Sequence, residues 1–183
     1  LQASSTSQLS TTNVFFNLGF AATTSTSTLA TFAGQTFLTA STTGFNTSLG
    51  LNALKLNVGG IGNSAFGYNA LASNASGASN VAVGQDALGL NVSGSGNTAV
   101  GVTSGRGVIG SNNTFVGSSA GTGFSGTTFT GSGITAVGNS AGGNLFSGGG
   151  DNSTYLGYNS GNGGSTNAYG NTFIGASPDL GQV

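Results

Sequence analysis

The stretch Asn97-Thr98-Ala99-Val100-Gly101 contains in one phrase the pattern that decides the fold of this chain. Outward from it in both directions, a block made of a polar residue (usually Thr), a spacer, a bulky apolar residue and Gly occurs eight times. The blocks span 47–50, 64–67, 81–84, 98–101, 114–117, 135–138, 154–157 and 172–175. Their glycines are 17, 17, 17, 16, 21, 19 and 18 residues apart, a nearly fixed period that is typical of stacked structural repeats.

The repeats are predicted to be strands rather than helices. Apolar residues within each block follow period two rather than 3.6, and glycine recurs too often for helices. A coil of about 17 residues can hold two or three short strands at about 3.3 Å per residue. The predicted fold is therefore all-β, a parallel β-solenoid (β-roll) with coils of about 17 residues that rise about 4.8 Å each.

Period two also predicts which positions of the block, called slots here, share a face of the strand. The Thr slot and the bulky slot point to one side, and the spacer points to the other. The bulky slot never admits a polar residue, so it is expected to form the core, with the following Gly as a tight corner. The spacer slot would then face outward, and its aromatic members are expected to form a packing or binding face together with a nearby tyrosine: Phe115, Tyr155, Phe173 and Tyr158.

The first part of the chain differs from the repeats. Residues 1–44 are dense in Ser and Thr with short apolar islands, whereas residues 45–183 form the predicted solenoid domain. β-branched and aromatic residues between small polar ones indicate extended strands, which would cap the solenoid or pair with a neighbouring subunit. A flexible Ser/Thr-rich linker is the alternative that composition alone leaves open.

Charge is nearly absent from the sequence. Only five side chains carry it, Lys55, Arg106, Asp86, Asp151 and Asp179, and the net charge is −1. Solubility usually depends on a net charge well away from zero, so the composition favours a chain that assembles, with attached glycan as a further means of staying dispersed. Two basic residues cannot neutralise the several phosphates that nucleic-acid binding requires, and no apolar run approaches the roughly 20 residues of a membrane helix.

The residue inventory does not indicate an enzyme. The chain has no His, Cys or Glu, so a general base beside a nucleophile or a tuned carboxylate pair is not expected. No catalytic residue, cofactor site or metal site is predicted, and the three aspartates are interpreted as solvated turn residues.

Asn-x-Ser/Thr sequons offer candidate sites for N-linked glycan if the protein is extracellular. They lie at Asn46, Asn74, Asn91, Asn112 and Asn152. Asn74, Asn91 and Asn152 fall in predicted loops and are the better candidates, and O-linked sugar on residues 1–44 is the alternative form of glycosylation.

The phrase also carries a family resemblance. Asn97-Thr98-Ala99-Val100-Gly101 and Asn80-Val81-Ala82-Val83-Gly84 resemble the head repeats of YadA-like trimeric autotransporter adhesins, and similar arrays occur in tail-fibre-like bacterial surface proteins. The resemblance covers roughly residues 46–175. It implies a left-handed parallel β-roll, an extracellular or cell-surface location, a fibre or adhesin role, and association as trimers.

Two functions follow as expectations. The first is a structural subunit of an extracellular filament that self-assembles end to end through strand edges, because only eight residues follow Gly175 and leave little for a polar cap. The second is an adhesin or fibre-tip module that recognises glycan or a surface through Tyr155, Tyr158 and Tyr169. Ice binding by the Thr file is less favoured, because Thr shares its face with the predicted core slot.

Overall fold

The computed structural model describes residues 27–32, 35–40, 44–123, 128–143, 151–161 and 169–176. This part of the chain contains ten strands and no helix. The strands are β1 (Ser27–Phe32), β2 (Gln35–Ala40), β3 (Thr47–Leu49), β4 (Ser64–Phe66), β5 (Val81–Val83), β6 (Thr98–Val100), β7 (Thr114–Val116), β8 (Thr135–Val137), β9 (Thr154–Leu156) and β10 (Thr172–Ile174).

All ten strands form one sheet in chain order. The β1–β2 and β2–β3 pairs are antiparallel, and every pair from β3 to β10 is parallel. Each parallel strand coincides with one sequence block, and equivalent slots face each other, as Val100 faces Val116. The predicted parallel β-solenoid with coils of about 17 residues is confirmed.

The glycine that ends each block forms the predicted corner. These glycines have φ between 119° and 137°, a region that L side chains rarely adopt. They also lie against the next coil, since a Cβ built on Gly84 would be 2.5 Å from the carbonyl oxygen of Gly101. Further left-handed residues follow in the same coil, Asp86 with φ 55° and Leu88 with φ 49°, and complete the bend.

The predicted faces of the strands are reversed in the structure. The spacer slot points inward, so Ala82, Ala99 and Phe115 are fully buried, whereas Val83 and Val100 in the bulky slot are 37% and 38% exposed. The prediction that the bulky slot forms the core was therefore wrong. The physical reason is that the interior of each coil has room for only one large side chain, and the spacer shares that room with the position six residues later.

Side-chain size inside the coil is balanced between two positions. Where the spacer is Ala65 or Ala82, the coil carries Leu71 or Leu88 six residues later, and both leucines are fully buried. In the fourth to seventh coils that second position is Gly, and in the fifth and seventh coils an aromatic spacer supplies the volume. Phe115 lies against Gly105 and Gly121, and Tyr155 lies against Gly161. Tyr155 also stacks on Phe173, with ring centroids 5.3 Å apart.

The described part of residues 1–44 pairs with the solenoid of the same chain. In the β2–β3 pair, Leu38 faces Leu49 and Ala40 faces Thr47. The hydroxyl groups of Thr39 and Ser48 form a hydrogen bond across this pair. The first edge of the parallel sheet is therefore covered by β2.

Candidate assembly surfaces

A file of buried asparagines runs along the solenoid axis immediately before the strands. Asn80 is representative: its Nδ2 donates to Gly94 O at 2.9 Å and to Asn63 Oδ1 at 3.1 Å, and its Oδ1 accepts from Asn97 N at 2.9 Å. Equivalent side chain–backbone bonds connect the rest of the file: Asn46, Asn63, Asn80, Asn97 and Asn113. Repeated amide side chains stacked in this way tie each coil to the next.

A second asparagine file lies at another corner. Asn74 Nδ2 donates to Asn57 Oδ1 at 2.8 Å, and Asn91 Nδ2 donates to Asn74 Oδ1 at 3.0 Å. The file ends where Val108 takes this position and forms an isolated bridge with Phe129, both fully buried. No buried side-chain nitrogen or oxygen in the described residues lacks a hydrogen-bond partner. The interior polar groups are therefore structural.

The buried files overturn the expectation for two of the sequons. Asn74 and Asn91 are fully buried, and their amide nitrogens donate to neighbouring asparagines, so they are not exposed loop sites. Asn46 is half-buried and donates to Gly60 O at 2.7 Å. Asn112 and Asn152 are exposed. Asn at a Gly/Ser-rich corner was interpreted from the sequence as a solvated turn residue. The signal for a buried file was that Asn recurs at the same position of successive coils.

The predicted aromatic face does not exist as a surface. Phe115 is fully buried, Tyr155 is 3% exposed, and Phe173 packs against the core. Burial raises the pKa of the Tyr155 phenol, and a hydrogen bond with Ser153 opposes that shift. Only Tyr158, which is 64% exposed, stands in solvent. The spacer aromatics fill the core instead of presenting a binding face.

The surface that strands β3 to β10 do present is an uncharged array, called here the outer face. It consists of the Thr slot and the bulky slot of every strand: Thr47, Leu49, Ser64, Phe66, Val81, Val83, Thr98, Val100, Thr114, Val116, Thr135, Val137, Thr154, Leu156, Thr172 and Ile174. The valines in its bulky file are 37–38% exposed. Thr98, Thr114 and Thr135 in its Thr file are partly exposed.

The far edge of β10 is the second candidate surface. In each earlier coil the first strand residue donates its N–H to the following coil, as Thr154 N does to Asn171 O at 2.8 Å and Thr135 N to Ser153 O at 2.9 Å. The equivalent donor in β10 is Thr172 N–H, and no residue among those described accepts it. Ile174 on the same strand is 76% exposed. β10 thus offers an edge of main-chain donors and acceptors.

The two aspartates in the described residues accept hydrogen bonds from the preceding coil. Asp86 accepts from Asn69 Nδ2 at 3.0 Å, and Asp151 accepts from Ser132 N at 2.6 Å. Asp179 lies outside the described residues. Within the described ranges, no cluster of three His, Cys, Asp or Glu side chains could hold a metal ion. No helix in the same ranges is long and apolar enough to cross a membrane.

The chain matches no family model, no curated protein and no solved structure. Its candidate functions therefore rest on the outer face and the β10 edge.

Proposed function

We propose that the protein is a structural subunit of an extracellular filament that polymerises end to end through its strand edges. The observation that carries the proposal is the direction of β1. Because β1–β2 and β2–β3 are both antiparallel, β1 runs in the same direction as β3 to β10. The β10 strand of one copy can therefore pair in parallel with β1 of the next, with every copy pointing the same way.

Such a joint supplies main-chain hydrogen bonds of the kind that already connect the coils. Strand addition to an open edge gives affinity through these bonds. A contact between two different ends of the same molecule is heterologous, and it yields an open polymer when the rotation does not close. A filament is the expected product.

Neither edge strand carries a charged residue or a proline. Proteins commonly protect sheet edges with charged residues, proline or bulges that twist the edge away. β10 has the sequence Thr-Phe-Ile and β1 has the sequence Ser-Thr-Leu-Ala-Thr-Phe, so neither contains a charge or a proline. The β1–β2 pair has register shifts between Thr28 and Thr31, but the rest of β1 remains paired in sequence order.

The extracellular location is part of the proposal. It is supported by the resemblance to bacterial surface fibres and by a net charge of −1, which suits an assembled fibre better than a dispersed protein. A trimer, which the resemblance implies, is the alternative assembly. Size measurement distinguishes it, since a trimer stops at three copies and a filament does not.

Negative-stain microscopy and light scattering test the proposal with a proline at the edge. Thr172→Pro removes the outward N–H of β10, while the bonds to β9 use Asn171 O and Gly175 N and remain. Thr172→Val is the matched control, because it keeps the N–H and the β-branched shape. We expect filaments from wild type and Thr172→Val and short rods from Thr172→Pro. Monodisperse wild-type rods without polymer, or a proline variant that polymerises normally, would refute the proposal.

A fibre-tip module that binds glycan is a second candidate, supported by the exposure of Tyr158 and Tyr169, 64% and 62%. Tyr155, which was expected to belong to the same cluster, is buried. A glycan array tests this role. Binding that Tyr158→Ala abolishes would support it, and an array that stays negative, or binding indifferent to that substitution, would reject it.

A further inference from the structure

We infer that the outer face binds the outer face of a second copy, and that it does so stably only between copies already joined end to end. The inference rests on the proposed filament and adds lateral pairing to it. The occupant is the same surface of another filament, so two filaments would associate side by side.

The chemistry of the outer face suits a copy of itself. No charged residue occurs in β3 to β10, so two such faces meet without like-charge repulsion. The bulky file brings exposed Val83, Val100, Val116 and Val137 into one straight row. Threonine hydroxyl groups both donate and accept hydrogen bonds, so a facing Thr file can satisfy them. Two sheets packed face to face lie about 10 Å apart and exclude water between them.

The size of the face explains why pairing should depend on polymerisation. Eight strands about 4.8 Å apart and three residues wide at about 3.3 Å each give roughly 350–400 Å² per copy. A stable interface needs about 800 Å² from each partner. One copy therefore supplies about half of that area, and two or more joined copies supply it in full.

End-to-end joining repeats the outer face along one sheet. The sheet runs without interruption from β1 to β10, so a joint between β10 and the next β1 places successive outer faces on the same sheet with one β1–β2 pair between them. Once the first pair of faces is in contact, the neighbouring copies are held at a high effective concentration. Weak contacts along two filaments then add up to a stable pair.

A pair of lysines on the outer face tests the inference. Val83→Lys with Val137→Lys puts positive charge on two strands that are not neighbours, at residues that are each 37% exposed, so folding and end-to-end joining should be retained. Val92→Lys with Val102→Lys is the matched control, since these valines are each 48% exposed and lie outside the outer face. Filament length reports end-to-end joining, and filament width in cryo-electron micrographs reports lateral pairing.

We expect double-width filaments from wild type and the control, and single-width filaments of normal length from the outer-face variant. Thr172→Pro should sediment as a monomer at micromolar concentration, because one face alone is too small. Single-width wild-type filaments, unchanged pairing in the outer-face variant, or a Thr172→Pro dimer would overturn the inference and leave the filament intact. Wild-type rods without any polymer would overturn both. Inhibition of ice recrystallisation by unpaired wild-type filaments, lost in the outer-face variant, would assign the face to ice instead.

Discussion

The ring of Phe115 occupies the space that a side chain on Gly121 would need, since a Cβ built on Gly121 would lie 2.1 Å from Cδ1 of the ring. Two coils earlier the arrangement is inverted, with Ala82 in the strand and Leu88 at the second position. Leu88 and Gly121 have similar φ values, 49° and 58°. The backbone at this corner therefore accepts either residue, and the size of the facing side chain decides which one fits.

This relationship predicts that Phe115→Ala and Gly121→Leu, each destabilising alone, partly compensate for each other when they are combined. Phe115→Ala should lower the free energy of unfolding by about 3–5 kcal/mol because it leaves a cavity, and Gly121→Leu alone should clash with the ring. The double variant rebuilds the Ala82–Leu88 arrangement and should recover much of the loss. Urea unfolding on the Thr172→Pro background would measure this coupling without polymer. Purely additive losses would contradict it.

The buried asparagine file predicts a large effect of a single-atom change. Asn80→Asp replaces a donor with a carboxylate that faces Asn63 Oδ1 and Gly94 O, which are both acceptors. At neutral pH the variant should be destabilised more than Asn80→Ala, which removes the group without burying a charge. Exposed Asn112→Asp is the control and should change little.

The same variant should show a pH signature. Burial among acceptors raises the folded pKa of the new carboxyl above the unfolded value of about 3.9. The folded state then binds the proton more readily, so the deficit of Asn80→Asp should shrink as the pH falls through the folded pKa. Denaturant titrations from neutral to acidic pH would measure it, and a deficit that does not change with pH would contradict the assigned environment.

Tyr155 predicts a loss of stability in alkaline solution. Desolvation, the larger cause, raises its pKa in the fold, and the hydrogen bond with Ser153 only partly offsets it. The unfolded phenol ionises near pH 10, so above about pH 10 the folded state holds more protons and unfolding becomes easier with rising pH. Below that pH both states are protonated and no dependence is expected. Tyr155→Phe should reduce the fall in the free energy of unfolding at alkaline pH, whereas Tyr158→Phe at an exposed position should not.

N-linked glycan should be attached to exposed sequons and absent from buried ones. In an N-glycosylating expression host, the folded secreted protein should carry sugar only on exposed sequons such as Asn112 or Asn152, and none on Asn74 or Asn91. A sugar on either buried amide would displace its ladder bonds and prevent folding. Peptide mass spectrometry of folded material would measure occupancy, and sugar at Asn74 in folded protein would refute the buried ladder.

The positions of the strands and corners could be predicted from the sequence because they depend on local chemistry. Each Thr-x-bulky-Gly block became a strand, and Gly84 and its equivalents have the positive φ that a corner requires. Those features depend on backbone conformation and period, both of which are visible in a single repeat.

The direction of the side chains could not be predicted in the same way, because it depends on the width of the coil. Val100 is larger and more apolar than Ala99, so size alone assigned Val100 to the core. In the structure Ala99 is inside because the interior there is too thin for two rows of large residues. The small spacers at Ala65, Ala82 and Ala99 were the available signal.

The corner that follows the second core position, six residues after the spacer, allows coils to differ in length while the strands keep the same spacing. The longest coils carry their additional residues between Gly121 and Gly131, between Gly142 and Asp151, and between Gly161 and Gly170. The strands on either side keep their register, since Val116 faces Val137 and Val137 faces Leu156. Evolution can therefore lengthen or diversify this corner without shifting the register of any strand, and foreign peptides inserted at several of these corners would be displayed at regular intervals along the solenoid axis.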